Sequence, residues 1–135
     1  IISIIIFSLI IELKIISYFY VVIFAILSSF ILGAMGFVAG LWSEKFDHMA
    51  SVTNFLIVPL SFLSGTFYSI ERLPLILQKV SELNPFFYMI DGFRYGFIGV
   101  SDRSVNFGLF YLTILSFVTW FISYVLYKRG YKIKF

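Results

Sequence analysis

Three long runs of the chain contain no charged residue: Ile15 to Ser43, Met49 to Ile70 and Ser104 to Tyr127. A helix needs only about 20 apolar residues to cross the hydrocarbon core of a bilayer. Each run is therefore predicted to span, over about 15–42, 49–70 and 105–127. Pro59, near the middle of the second run, removes one backbone donor and is expected to kink that helix. Ile1 to Ile11 is almost purely apolar but too short to cross. It lacks the basic start and small-residue cleavage site of a signal peptide, and it is read as the remnant of a helix truncated by the fragment's boundary. No internal repeat or low-complexity linker interrupts the pattern.

Between the second and third runs the pattern changes. Leu73, Ile76, Leu77, Val80 and Leu83 recur at helical spacing, with Pro74 suited to a first turn and Asn84-Pro85 to a stop. This predicts a short amphipathic helix over 74–83. After Pro85 a second helix is expected over 86–98, carrying three stripes: Phe86, Ile90, Phe93 and Phe97; Tyr88, Asp91 and Tyr95; Gly92, Gly96 and Gly99. The apolar stripe suits lipid or core, the polar one needs water or partners, and the glycines allow another backbone to approach closely. Asp91 and Arg94 are three apart, close enough to pair on the helix surface. A charge at the bilayer centre costs at least ~2.5 kcal/mol on insertion scales, so two of them disfavour a lipid-exposed span. Two placements stay open: a helix dipping partway into the membrane, and an amphipathic loop helix lying on its surface.

Composition fixes the medium. The chain is 61% hydrophobic, 21% aromatic and 13% charged, with a mean hydropathy of +1.01. A water-soluble fold of 135 residues could not hide that much apolar surface, so the solvent is a bilayer and the class is an all-α integral membrane bundle. With no cysteine, disulfides, thiolate metal sites and cysteine nucleophiles are excluded. A net charge of +3 is too small to suggest nucleic acid. Lys128, Arg129, Lys132 and Lys134 crowd the tail with no acid among them, which reads as a cytoplasmic anchor. That orientation puts Glu44 to His48 inside and Glu71 to Arg103 outside. The cations themselves are evenly divided: Lys45 and the tail on one side, Lys14, Arg72, Lys79, Arg94 and Arg103 on the other. Density decides, because the outer cations are dispersed and matched by Glu71, Glu82, Asp91 and Asp102.

Enzyme chemistry has no footing: there is no HExxH, no glycine-rich phosphate loop and no intramembrane acid pair. His48, the only histidine, cannot build a histidine metal cluster. Ion-coupled carriers place ionisable groups inside the bilayer, whereas the three uncharged runs contain none. Secondary transport and a membrane assembly subunit that moves nothing remain the rivals to an externally powered transporter.

The run "NFLIVPLSFLSGTFYSIERLP", followed by "NPFFYMIDGFRYGFIGVSD", resembles the C-terminal half of ABC-2 type transporter permeases, the membrane subunits of a class of ATP-driven exporters. The likeness extends upstream through "GAMGFVAGLWSEKFDHMA". Leu73-Pro74, Pro85-Phe86, Tyr88 and Arg94 fall where that family's pattern places them, and Pro59, Gly65, Asp91 and Gly96 lie within the matched runs. Thr66 departs from it, where a smaller or aliphatic residue is expected. The resemblance implies a six-helix subunit in a bacterial inner membrane that pairs with a second copy. It also implies two cytoplasmic ATPase subunits that bind the ATP and Mg, so that this chain itself holds no cofactor. Residues 74–83 and 86–98 would be two re-entrant helices on the outer side, an arrangement that agrees with the orientation argued from charge. The cargo is left open among polysaccharides, lipids, drugs, haem-related compounds and antibiotics, with uncharged spans leaning towards a lipid-linked or amphipathic one.

Ser29, Gly33, Gly36 and Gly40 share one face of the first span. Such a face permits close helix packing, either within the subunit or where helices slide during transport. Glu44, Lys45 and Asp47 form either a solvated connector or a minor ATPase contact, the family's main docking element lying in a part this chain lacks. Arg94 either orients an anionic headgroup or neutralises Asp91.

Overall fold

An apolar run in a bilayer can satisfy its backbone only through its own helical hydrogen bonds, and helices account for the regular structure here. The computed structural model describes residues 15–43, 50–66 and 70–129. Its helices are α1 (Tyr18–Trp42), α2 (Ala50–Phe62), α3 (Leu75–Leu83), α4 (Pro85–Ile98) and α5 (Val105–Lys128), with a 3-10 turn over Ile70–Arg72 before α3. No strand occurs among the described residues. The remnant expected over Ile1 to Ile11 lies outside them.

α1 and α5 have 25 and 24 residues, about 36 Å each at 1.5 Å per residue, enough to cross a core of about 30 Å. Little of either is buried, and large apolar side chains such as Phe19, Ile26, Phe110, Phe117 and Phe121 point outward. A water-soluble protein would bury such an apolar surface. In lipid it is the ordinary exterior of a span.

The second expected span differs from its prediction. The uncharged stretch continues to Ile70, but the helix ends at Phe62. Ser64 Oγ donates to the Ser61 carbonyl and lies 2.7 Å from Thr66 Oγ1, while Gly65 takes a left-handed φ of 77°. Local side-chain bonds that compete with the helix, followed by a left-handed residue, are ordinary means of stopping one. The chain's response to Pro59 is also specific. The turn over Thr53–Ile57 is a π-helix, closed by the Val58 N–H bonding the Thr53 carbonyl. A wide turn upstream thus accommodates the donor that proline lacks.

α1, α4 and α5 pack pairwise against one another. Their shared core is Phe24 and Ile31 of α1, Phe87, Tyr88 and Met89 of α4, and Leu112 of α5, joined by Ile70. α2 meets this unit through α4. Lower down, Val52 and Leu56 of α2 share with α1 and α5 an apolar crevice of about 300 Å³.

Candidate functional site

α3 and α4 form a tight helical hairpin whose bend, Asn84-Pro85, has its polar groups answered by protein atoms. Asn84 is buried. Its Oδ1 accepts from the Phe86 N–H at 3.0 Å, capping α4, and its Nδ2 donates to the Leu60 carbonyl of α2 at 2.6 Å. The Asn84 N–H donates to Ser81 and its carbonyl accepts from Phe87. The free Leu83 carbonyl at the end of α3 accepts from the Tyr111 hydroxyl at 2.8 Å. Pro85 occupies the first turn of α4, where its missing N–H costs nothing.

These bonds give the bend a height. Tyr111 lies six residues into α5, about 9 Å along its axis. The open ends of the hairpin lie elsewhere: the Ile70 N–H donates to Asp102 Oδ2 at 3.3 Å, just before Ser104 caps α5. The hairpin therefore runs alongside the first turns of α5 and back.

Its course is possible because of the glycine stripe. A Cβ on Gly92 would collide with the Phe24 ring; one on Gly96 would sit 2.9 Å from the Val21 backbone nitrogen; one on Gly99 would sit 2.8 Å from Ile16 Cδ1. In the same register the Ser17 N–H donates to the Gly96 carbonyl at 2.9 Å. α4 thus runs antiparallel to the first half of α1 with the backbones nearly touching, which only glycine permits. Gly99 also ends α4 with φ 71°. On the other side Tyr88 packs against Gly108 and the rings of Phe107 and Tyr111.

Asp91 and Arg94 do pair, and the pair is the centre of a larger network. Arg94 also contacts Asp102 Oδ1 at 3.0 Å. Asp91, 3% exposed, accepts from the Asp102 N–H at 2.8 Å and the Arg103 N–H at 3.3 Å, pinning the loop that leads into α5. Arg103 then reaches Glu82 of α3 through two nitrogens, at 2.9 and 2.7 Å. Burial alone would lower the Arg94 pKa, but the hydrogen bonds it donates to Asp102 and Asp91 outweigh that and raise it. The bond to Glu82 raises that of Arg103. Both guanidiniums stay charged across the physiological range, and the carboxylates have fixed counter-ions. The network holds an architecture together. Among the described residues no group of His, Cys, Asp or Glu is placed to hold a metal.

The other expected residues are distributed. Leu73 and Pro74 start α3: the Leu73 carbonyl accepts from Gln78 Nε2 at 2.8 Å, and Pro74 is its N-cap. Pro59 and Gly65 frame the end of α2. Ser29, Gly33, Gly36 and Gly40 lie on α1 away from the hairpin, and a Cβ on any of these glycines would meet nothing among the described residues. Ser29 and Gly33 border a shallow groove with Trp120 and Ser123 of α5. Glu44, Lys45 and Asp47 lie outside the described residues. Sequence reasoning missed Asn84 as a tie between helices, and it missed Asp102, Arg103 and Glu82 as the rest of the network. Only Asn84, a cap residue ahead of a proline, carried a signal.

Two membrane-capable helices among the described residues, with a hairpin packed against them, are the architecture of a helical membrane protein. The family model for ABC-2 type transporters matches residues 1–98. The chain is 36% identical over 116 residues to the inner membrane transport permease YadH of Escherichia coli K12, covering 84% of this chain and 44% of that protein. It is 26% identical over 98 residues to nodulation protein J of Neorhizobium galegae, covering 71% of this chain and 37% of that one. No solved structure matches. The chain spans less than half the length of these relatives, and it belongs to the ABC-2 type transporter family.

Proposed function

We propose that the chain is the C-terminal half of the permease subunit of an ATP-driven exporter in a bacterial inner membrane, with its C-terminus in the cytoplasm. A second copy completes the transmembrane pathway, and a separate ATPase subunit binds ATP and Mg and supplies the energy. The observation that carries this reading is the family match over residues 1–98. The distribution of charge supports it: α1 and α2 carry no acid, lysine, arginine or histidine, and α5 has only Lys128 at its end. A carrier driven by protons or ions needs ionisable groups at membrane depth. Asp91, Arg94, Asp102, Arg103 and Glu82 are tied to one another at the head of α5.

In this reading the stretch 49–70 is a third crossing that contains α2, and α3 and α4 are the re-entrant pair. Support comes from the height of the bend beside Tyr111 and from the apolar surface of both helices. The test is co-expression of the full-length permease with candidate ATPase subunits. A stable complex whose ATP hydrolysis drives cargo across vesicle membranes is the expected result. A protein that recruits no ATPase, or transports when only an ion gradient is supplied, would overturn it.

A further inference from the structure

α3 is amphipathic the wrong way round for a helix in water. Its protein-facing side carries buried Ser81, Gln78 bonded to the Leu73 carbonyl and Glu82 bonded to Arg103. Its outward side carries Leu75, Ile76 and Leu83, which are 76%, 77% and 74% exposed. At 100° per residue Lys79 falls between Leu75 and Leu83, so an exposed cation sits within the apolar arc. Its acidic neighbour at i+3, Glu82, is already held by two nitrogens of Arg103, and Lys79 forms no salt bridge among the described residues.

We propose that this face of α3 is a phospholipid-binding surface, where Lys79 holds the phosphate of one lipid and Leu75, Ile76 and Leu83 receive its acyl chain. The inference rests on the reading of the α3–α4 hairpin as entering one leaflet. The heights agree with it. Leu83 lies beside the Tyr111 hydroxyl and Glu82 beside Arg103 at the head of α5, so Lys79, one turn earlier in α3, lies towards the open ends of the hairpin. From there its four-carbon stem reaches the headgroup layer while covering apolar surface on the way, the geometry in which lysines snorkel. Charge complementarity selects the occupant: an unpaired ammonium bordered by leucines fits a molecule with a phosphate at one end and a hydrocarbon at the other.

The test places a photo-crosslinking residue at Leu83 in the full-length protein, reconstituted in vesicles of phosphatidylcholine with phosphatidylglycerol, and identifies adducts by mass spectrometry. The same residue at Phe110, exposed on α5, reports general lipid contact. Phospholipid adducts are expected at both positions. Lys79→Glu should cut the yield at 83 about fivefold, the factor one surface cation contributes to attraction for anionic lipid, while leaving position 110 unchanged; Lys79→Arg should preserve both. Adducts to protein at 83, or yields indifferent to Lys79→Glu, overturn the proposal. ATP-driven transport measured in the same vesicles separates the two readings. Transport without a Lys79-dependent adduct sinks only the lipid site, and the adduct without transport counts only against the exporter.

Discussion

Two glycines one turn apart should fail in different ways. The methyl of Gly92→Ala would strike the Phe24 ring, whereas that of Gly96→Ala would press on the Val21 backbone as well as its side chain. Both are expected to destabilise the detergent-solubilised protein by about 1–3 kcal/mol, the usual cost of overpacking. Shortening Phe24 to leucine should restore melting for Gly92→Ala, but Val21→Ala should not rescue Gly96→Ala, because a backbone atom cannot be trimmed. Gly36→Ala, with nothing near it among the described residues, should leave melting unchanged. The charges make a second prediction. Arg94 reaches both carboxylates through one nitrogen, Nη2, so a lysine ammonium can stand in for it, whereas alanine leaves the buried Asp91 without its cation. Arg94→Ala should therefore lower folded yield and export in parallel, and Arg94→Lys should retain most of both. Normal yield with lost export would instead assign Arg94 to the cargo or a headgroup.

For the elements, Asn84 separates two roles that one substitution can uncouple. Asn84→Asp keeps an acceptor for the Phe86 N–H but loses the donor to Leu60. Hydrogen exchange should then quicken around residues 58–66 while the first turn of α4 stays protected; Asn84→Ala should quicken both, at about 1–2 kcal/mol for the lost cap. Exchange around residues 58–66 that stays slow in Asn84→Asp would mean that the Leu60 bond does not anchor α2. The helices of the hairpin were legible in the sequence because Leu73, Ile76, Leu77, Val80 and Leu83, then the glycine stripe, repeat at helical spacing. The stripe's neighbour was not, since Phe24 and Val21 lie some seventy positions away and contact across that distance leaves no local pattern. Asp91 and Arg94 were legible as an i,i+3 pair. Their further partners include the backbone N–H groups of Asp102 and Arg103, which every residue but proline owns, so no sequence pattern marks them. The end of α2 is not marked by charge, because the uncharged run continues past it; the Ser64-Gly65 pair is the turn signal that hydropathy conceals.

At the scale of the whole molecule, a cysteine-free chain lends itself to a topology test. Single cysteines at Gln78 and Lys132 should label from opposite sides of intact cells with a membrane-impermeant maleimide, position 78 from outside. Labelling of position 132 from outside would reverse the orientation. The bend at Asn84-Pro85 has another consequence at this scale. A chain reversal within a membrane ordinarily invites water to its bare carbonyls and amides, and water files conduct protons. Here Tyr111, Leu60, Ser81, Phe86 and Phe87 answer the polar atoms of the bend from within the protein. These bonds meet the condition that hydrocarbon sets on a chain reversal, so the bend needs no water to complete it.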